Sequence, residues 1–220
     1  YYQNSISRSL SRFLKDEEVE TGIYEILKDI LAFYRAGRAY IFETDEENHF
    51  YNCTYEVVAE GVKAEINKLQ EIPVDFMPWW TSQILGKKPI LFETLKPMPG
   101  MGQGEYEVLS RQGIKALMAT PLVVNDHVYG FMGVDLVDGS ASWSDEDYRW
   151  LSSLANVISI CLELRRAKEK VIFEQAALAR SERLFKNIFA NIPAGVEIYD
   201  KEGNLVDLNE RDMDIQGISD

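Results

Sequence analysis

Two thiols, two imidazoles, a glycine-rich loop and a pair of strand carboxylates are the groups in this 220-residue chain that could do chemistry. Cys53 and Cys161 are its two cysteines. Thiol redox chemistry needs a reactive thiolate and a resolving partner within reach. Cys53 falls mid-strand on the same face as Tyr51, Tyr55 and Val57, and Cys161 falls inside a long periodic helix. Both therefore read as buried small hydrophobes far from one another. His49 stands at a strand start and His127 beside a hairpin turn, and neither forms part of a metal-ligand spacing. Gly100-x-Gly102-x-Gly104 has the wrong spacing for either common phosphate loop, and no lysine follows it. Asp135 and Glu56 lie on neighbouring strands and could share one sheet face. General acid–base work would need a closed pocket and a shifted pKa, which the sequence does not display. The expectation is a chain with no catalytic residue and no metal site.

The composition narrows the classes further. At 46% hydrophobic and 27% charged the chain is ordinary globular protein, long enough for one domain and part of another. Its net charge of -13 argues against nucleic acid, because phosphate binding needs a basic surface. The basic cluster Arg165, Arg166, Lys168 and Lys170 reads as a solvated helix face. No run of 18 apolar residues is present, so no membrane span is expected in this segment. Two cysteines imply no disulfide framework and a reducing, cytoplasmic compartment. The start at Tyr1-Tyr2 reads as excision from a longer protein.

The element around which the rest is arranged is a helix predicted from about Ser144 to Asn191. Ser144 is its N-cap with Asp147 as capping-box partner, and Trp143 and Tyr148 form a hydrophobic staple. Val157, Leu164, Val171, Leu178 and Phe185 then recur every seven residues, with no Pro or Gly between Trp143 and Phe185. That is a coiled-coil seam, which Cys161 continues at the alternate position before Lys168, Gln175 and Glu182 make it polar. A helix of that length cannot bury one stripe against a single small domain, so a parallel homodimer is expected. Upstream, Leu10, Phe13, Leu14, Val19, Ile23, Ile26, Leu27, Ile30, Leu31 and Tyr34 keep a helical rhythm, with a possible restart at Asp16-Glu17-Glu18. Strands follow at 38–44 and 49–58, a short helix at 62–69, a helix from Pro78 to Gly86, a strand at 89–95, a loop at 96–104 and a helix at 105–112.

Strands 115–124 and 127–137 form a hairpin about Asn125-Asp126. With Val124 opposite His127, Leu122 faces Tyr129, Thr120 faces Phe131, Met118 faces Gly133 and Ala116 faces Asp135. The other face carries Leu117, Ala119, Pro121, Val123, Val128, Gly130, Met132, Val134 and Leu136, and should pack on the long helices. The mixed face, with Met118, Thr120, Phe131 and Asp135, is lined as a small-molecule pocket is lined. Tyr40, Phe42, Glu56, Trp79 and Trp80 complete the candidate ligand site.

Arg38-Ala-Tyr-Ile-Phe-Glu43, the run Thr54 to Pro73, Pro78-Trp-Trp80, Gln112 to Leu122, Tyr129 to Val137 and Trp143-Ser144 together resemble GAF domains. The similarity is to the type found upstream of PAS domains in bacterial sensor kinases and cyclic-di-GMP proteins. The stretch from Ser181 to Ser219 resembles the opening of a PAS domain: entry helix, Pro193, a strand to Tyr199, a turn at Asp200 to Asn204 and a second strand. The resemblance implies an α+β fold, a central antiparallel sheet flanked by helices with a long C-terminal signalling helix. It divides the chain into an N-terminal helix (1–18), a GAF domain (19–166), a helical connector (167–183) and a PAS fragment (184–220). The implied function is a non-catalytic sensory module of a two-component signalling protein, a sensor histidine kinase, relaying a small-molecule or partner signal to PAS and output domains. A regulatory part of a cyclic-di-GMP cyclase or phosphodiesterase, and an inert dimerisation GAF, are the alternatives. One GAF lineage reduces free methionine sulfoxide, which the two separated cysteines argue against. Neither a cyclic-nucleotide signature nor a bilin-attachment cysteine is evident, and the two histidines are poorly placed for haem. Whether a ligand binds, and which, is left open.

Overall fold

A computed structural model describes residues 19–45, 47–96 and 100–217. The readings that fall on residues 1–18, including the early helix and its acidic restart, lie outside the described residues. The chain divides into two compact units, with the boundary after Arg165.

The first unit is built on a six-stranded antiparallel sheet in the order β3-β2-β1-β6-β5-β4. β1 (Arg38–Thr44) and β2 (Phe50–Val58) pair in sequence, β3 (Ile72–Pro73) adds a short edge, and β4 (Ile90–Phe92) closes the other edge on β5 (Ala116–Val124). β5 and β6 (His127–Leu136) form the hairpin, with Asn125 and Asp126 at φ 47° and 71° in the left-handed pair that a two-residue turn requires. Every residue of β1 is buried, because it runs centrally and both sheet faces are covered. The short helix expected at 62–69 contracts to a 3₁₀ turn at Ile66–Lys68.

One face carries α1 (Val19–Tyr34) and the start of α4 (Asp145–Asn191). Ile23, Ile26, Leu27 and Ile30 meet Leu151, Leu154, Ile158 and Leu162 over Ala39, Ile41, Met118, Leu122, Met132 and Val134. Each such buried aliphatic side chain contributes about 1.5–3 kcal/mol. The other face is covered by α2 (Pro78–Leu85) and α3 (Gln103–Arg111), which bring Trp80, Ile84 and Leu109 onto Phe42, Tyr51, Phe92, Leu117 and Phe131.

Two β-bulges decide which residues reach which face. In β6 the register slips between Leu122 and Val123: Val123 opposes Val128, Leu122 opposes Gly130, and Tyr129 is the extra residue. Gly130, at φ 140°, passes so close to β1 that a Cβ would stand 1.9 Å from the Phe42 carbonyl oxygen. The simple alternation expected for this hairpin is therefore wrong beyond the bulge. Met118 and Thr120 turn to the long helices, while Leu117 and Ala119 turn to the α2–α3 side with Phe131 and Asp135. In β2, Ile41 pairs with Tyr55 but Phe42 pairs with Cys53, so Thr54 is extra. Cys53 and Tyr51 consequently face α2 and α3 while Tyr55 joins the α1–α4 core, which corrects the expectation of a common face.

α4 begins as the sequence predicts. The Ser144 hydroxyl accepts from Asp147 N at 3.1 Å, and Asp147 Oδ2 accepts from Ser144 N at 2.9 Å, closing the capping box. The helix runs 47 residues, about 70 Å. Its buried residues all fall between Trp150 and Leu162. At the end of the first unit Arg165 donates from Nη1 to the Tyr55 hydroxyl (2.7 Å) and from Nη2 to Glu43 (2.6 Å).

The second unit holds the hairpin of β7 (Glu197–Tyr199) and β8 (Leu205–Leu208), followed by α5 (Glu210–Gln216). Asp200 makes the turn by accepting from Glu202 N and Asn204 N. Asn209 is 2% exposed and fully used: it donates to the Phe189 and Ala194 carbonyls and accepts from Val196 N and Asp212 N.

Candidate ligand cavity

A cavity of about 190 Å³ opens between the α2–α3 face of the sheet and those two helices. Its apolar wall comes from β1, β2 and β6 through Phe42, Tyr51 and Phe131, and from the helical side through Trp80, Leu109 and Ile114. The rings are packed on one another. Phe42 stacks on Phe131 at 4.7 Å, and Tyr51 and Trp80 meet Phe131 edge-on at 5.3 and 5.2 Å. Trp80 is 4% exposed, and its Nε1 donates to nothing among the described residues. Its backbone N–H donates to Glu105 Oε1 (3.0 Å), whose other oxygen accepts from Gly102 N (2.7 Å), so one buried carboxylate ties the starts of α2 and α3 together. At the mouth, Phe76 is exposed, as is Lys68, whose ammonium pairs with Glu65.

The opposite pole is polar and buried. Arg38 and Asp135 are cross-strand partners at the ends of β1 and β6. Nη1 of Arg38 donates to both Asp135 oxygens at 3.2 and 3.3 Å, Nε donates to the Lys63 carbonyl (3.0 Å) and Nη2 to the Gln112 carbonyl (3.1 Å). Glu56, on β2 and separated from the Asp135 strand by β1 rather than neighbouring it as expected, lies 4.0 Å from Nε and spends its oxygens on the backbone N–H groups of Glu65 and Ile66. Burial pushes Asp135 up to about 6, against the pull of Arg38, with Glu56 adding to the rise. Burial, and then the Asp135 charge, hold the Tyr40 hydroxyl well above its usual range, so it stays a neutral phenol. Tyr40 lies over Gly133: a Cβ there would come within 2.8 Å of its ring. Cys53 also lines the cavity, its thiol pushed by burial to about 12. Cys161 is raised to about 11 for the same reason. Neither supplies a thiolate near neutral pH.

Of the residues expected at the site, Tyr40, Phe42, Glu56, Trp80, Phe131 and Asp135 line the cavity. Met118 and Thr120 do not: β5 keeps its alternation, with Met118 in the long-helix core, while the β6 bulge carries Phe131 and Asp135 to the opposite face. Trp79 packs beside Phe92, at 6.0 Å between ring centres, and is outside the lining. Arg38, Tyr51 and Gln112 were missed. A signal for Arg38 did exist: one arginine opening an apolar strand, with single acids in two other strands. Of the seam residues, Val157 and Cys161 are buried within the first unit, whereas Leu164, Val171, Leu178 and Phe185 are exposed. Among the described residues no cluster of His, Cys, Asp or Glu is placed to hold a metal ion, and no helix is long and apolar enough to cross a membrane.

The GAF domain family model matches residues 18–162, about two thirds of the chain. The chain belongs to the GAF family. GAF domains are generally regulatory. This one is 26% identical over 149 residues to the methanogenesis regulatory histidine kinase FilI of Methanothrix harundinacea, covering 66% of this chain and 16% of the kinase. It is thus weakly related to a histidine kinase regulator and spans about one sixth of that relative's length. Among solved structures it is similar to the phycocyanobilin-bound GAF domain of a cyanobacterial phytochrome. That match has a TM-score of 0.64 and 13% identity, covering 76% of this chain and 97% of that one. It is also similar to the chromophore-binding domain of the Stigmatella aurantiaca bacteriophytochrome. There the TM-score is 0.60 and the identity 15%, over 74% of this chain and 60% of that one. At these identities the similarity establishes the GAF fold.

Proposed function

We propose that this chain is a non-catalytic sensory module of a histidine-kinase-type signalling protein, acting in the cytoplasm. In this reading residues 19–166 take up a small molecule in the cavity and residues 167–183 are a dimeric connector. Residues 184–220 open a PAS domain that passes the signal to an output domain. The observation that carries it is the cavity: an aromatic chamber ending on the buried Arg38–Asp135 pair, in a fold from a family of regulators. The weak relation to a kinase regulator and the unbroken run of α4 from the GAF core into the second unit support it. Leu164, Val171, Leu178 and Phe185 form the dimer stripe. Because Val157 and Cys161 are used internally, the flank beside that stripe is Ile160, Ala167, Glu174, Ser181 and Ile188, apolar at its two ends, where Ile160 and Ile188 are exposed, and polar between at Glu174 and Ser181. Native mass spectrometry of freshly purified protein tests the whole reading. A dimer carrying a small molecule that leaves on denaturation is expected, and Val171→Asp should convert the dimer to monomer with the GAF fold intact. A monomeric wild-type protein would refute the connector. A dimer that never carries or takes up a small molecule would make the GAF domain an inert dimerisation unit.

A further inference from the structure

We propose that the cavity is built for a small organic cation, an alkylated ammonium no larger than choline. The inference rests on the sensory reading above and adds the charge and size of the ligand. Size comes first. An apolar protein cavity of ~150 Å³ accommodates one benzene ring, so 190 Å³ admits a single compact group.

Charge comes from the polar pole. Arg38 is the one cation buried there, and it faces two carboxylates, Asp135 at 3.2 Å and Glu56 at 4.0 Å. Lys68, at the mouth, is already paired with Glu65. The chamber therefore carries one negative charge beyond what its own cations offset. A carboxylate or phosphate ligand would have to enter beside two carboxylates, against an Arg38 whose three nitrogens already donate to Asp135, Lys63 and Gln112. Asp135 spends only one contact per oxygen, both to Arg38 Nη1, so it retains acceptor capacity toward the cavity.

The walls supply the rest. Tyr40, Phe42, Tyr51, Trp80 and Phe131 surround the chamber, and aromatic walls attract a cation through their ring quadrupoles while tolerating methyl groups.

The test is isothermal titration of the full chain at pH 7.5 with four probes. Choline and tetramethylammonium are cationic, 3,3-dimethylbutan-1-ol is the neutral isostere of choline, and 3,3-dimethylbutanoate is the anion of matching shape. At least one cation should bind about tenfold or more tightly than the alcohol and the acid. Asp135→Asn should remove most of that preference. Phe131→Leu keeps the charges and removes the central ring, and it should weaken the cation more than the alcohol. If Asp135→Asn fails to fold, Phe131→Leu decides by the same criterion. Equal binding of alcohol and cation, tightest binding of the acid, or no binding by any probe would each overturn the proposal. In those cases a neutral or anionic molecule found on the purified dimer by mass spectrometry would leave the sensory reading standing. Its absence would remove both.

Discussion

Asp135 offers a quantitative handle on the buried pole, because its proton is linked to folding. Burial raises it from an ordinary 3.8 to about 6. The groups facing it are Arg38 and Tyr40 on β1 and Glu56 on β2. Between the two values the native protein holds a proton that the unfolded chain lacks. The stability this group contributes is therefore fully present below about pH 4 and is lost as pH rises through 6. At about 1.4 kcal/mol per pH unit the change is about 3 kcal/mol. Asp135→Asn removes the titration, so the difference between wild type and variant isolates it. The carboxylates held below their usual range, Asp45, Asp126, Glu197 and Asp200, act in the opposite direction but equally in both proteins. The assay is urea unfolding by tryptophan fluorescence from pH 4 to 7.5. All four tryptophans, Trp79, Trp80, Trp143 and Trp150, lie in the first unit, so the signal reports that unit alone. Relative to the variant, wild type should lose about 2.5 kcal/mol across this range, the rest of the change lying below pH 4. Parallel profiles, constant within about 0.5 kcal/mol, would refute a desolvated Asp135.

Further outcomes follow from other contacts. Gly133→Ala should destabilise the first unit by about 1–3 kcal/mol in the same assay, because a Cβ would meet the Tyr40 ring at 2.8 Å and the Met118 carbonyl oxygen at 3.0 Å. A neutral substitution would show that Tyr40 is free to move. Arg165→Ala removes charge-assisted bonds to Glu43 and Tyr55 and should cost about 1–3 kcal/mol. Arg165→Lys should restore only part of it, since one ammonium replaces a fork that reaches two partners. Equal stability of the two variants and wild type would show that the contact is not maintained in solution. Cys53 and Cys161 should react with a thiol reagent at pH 7.5 at least about a hundredfold more slowly in native than in unfolded protein. Rapid labelling, or thiol-dependent turnover of methionine sulfoxide, would reopen the enzyme reading.

The sequence alone determined those features whose physics is local. The Ser144–Asp147 capping box, the Asn125-Asp126 turn, the rhythm of α1 and the unbroken periodicity of α4 depend on groups a few residues apart. The apolar stretches and their punctuation, together with the family resemblance, were enough for the antiparallel sheet and its flanking helices. The cavity was half legible: Phe131 and Asp135 on β6, Tyr40 and Phe42 on β1, Glu56 and Trp80 all line it. Tertiary structure decided the rest. Two single-residue bulges, at Thr54 and Tyr129, exchange the faces of the residues beyond them, because side chains alternate with period two and one extra residue inverts the pattern. Gly130 marks the second bulge in the sequence, but only the passing β1 backbone shows why it must be glycine. Arg38 opens an apolar strand, but its partners are fixed only when β2 and β6 bring Glu56 and Asp135 to either side of it, and the pairing of charges across three strands is a property of the assembled sheet. Val157 and Cys161 share the heptad of the exposed stripe. Packing against the first unit, which no periodicity can reveal, takes them out of it.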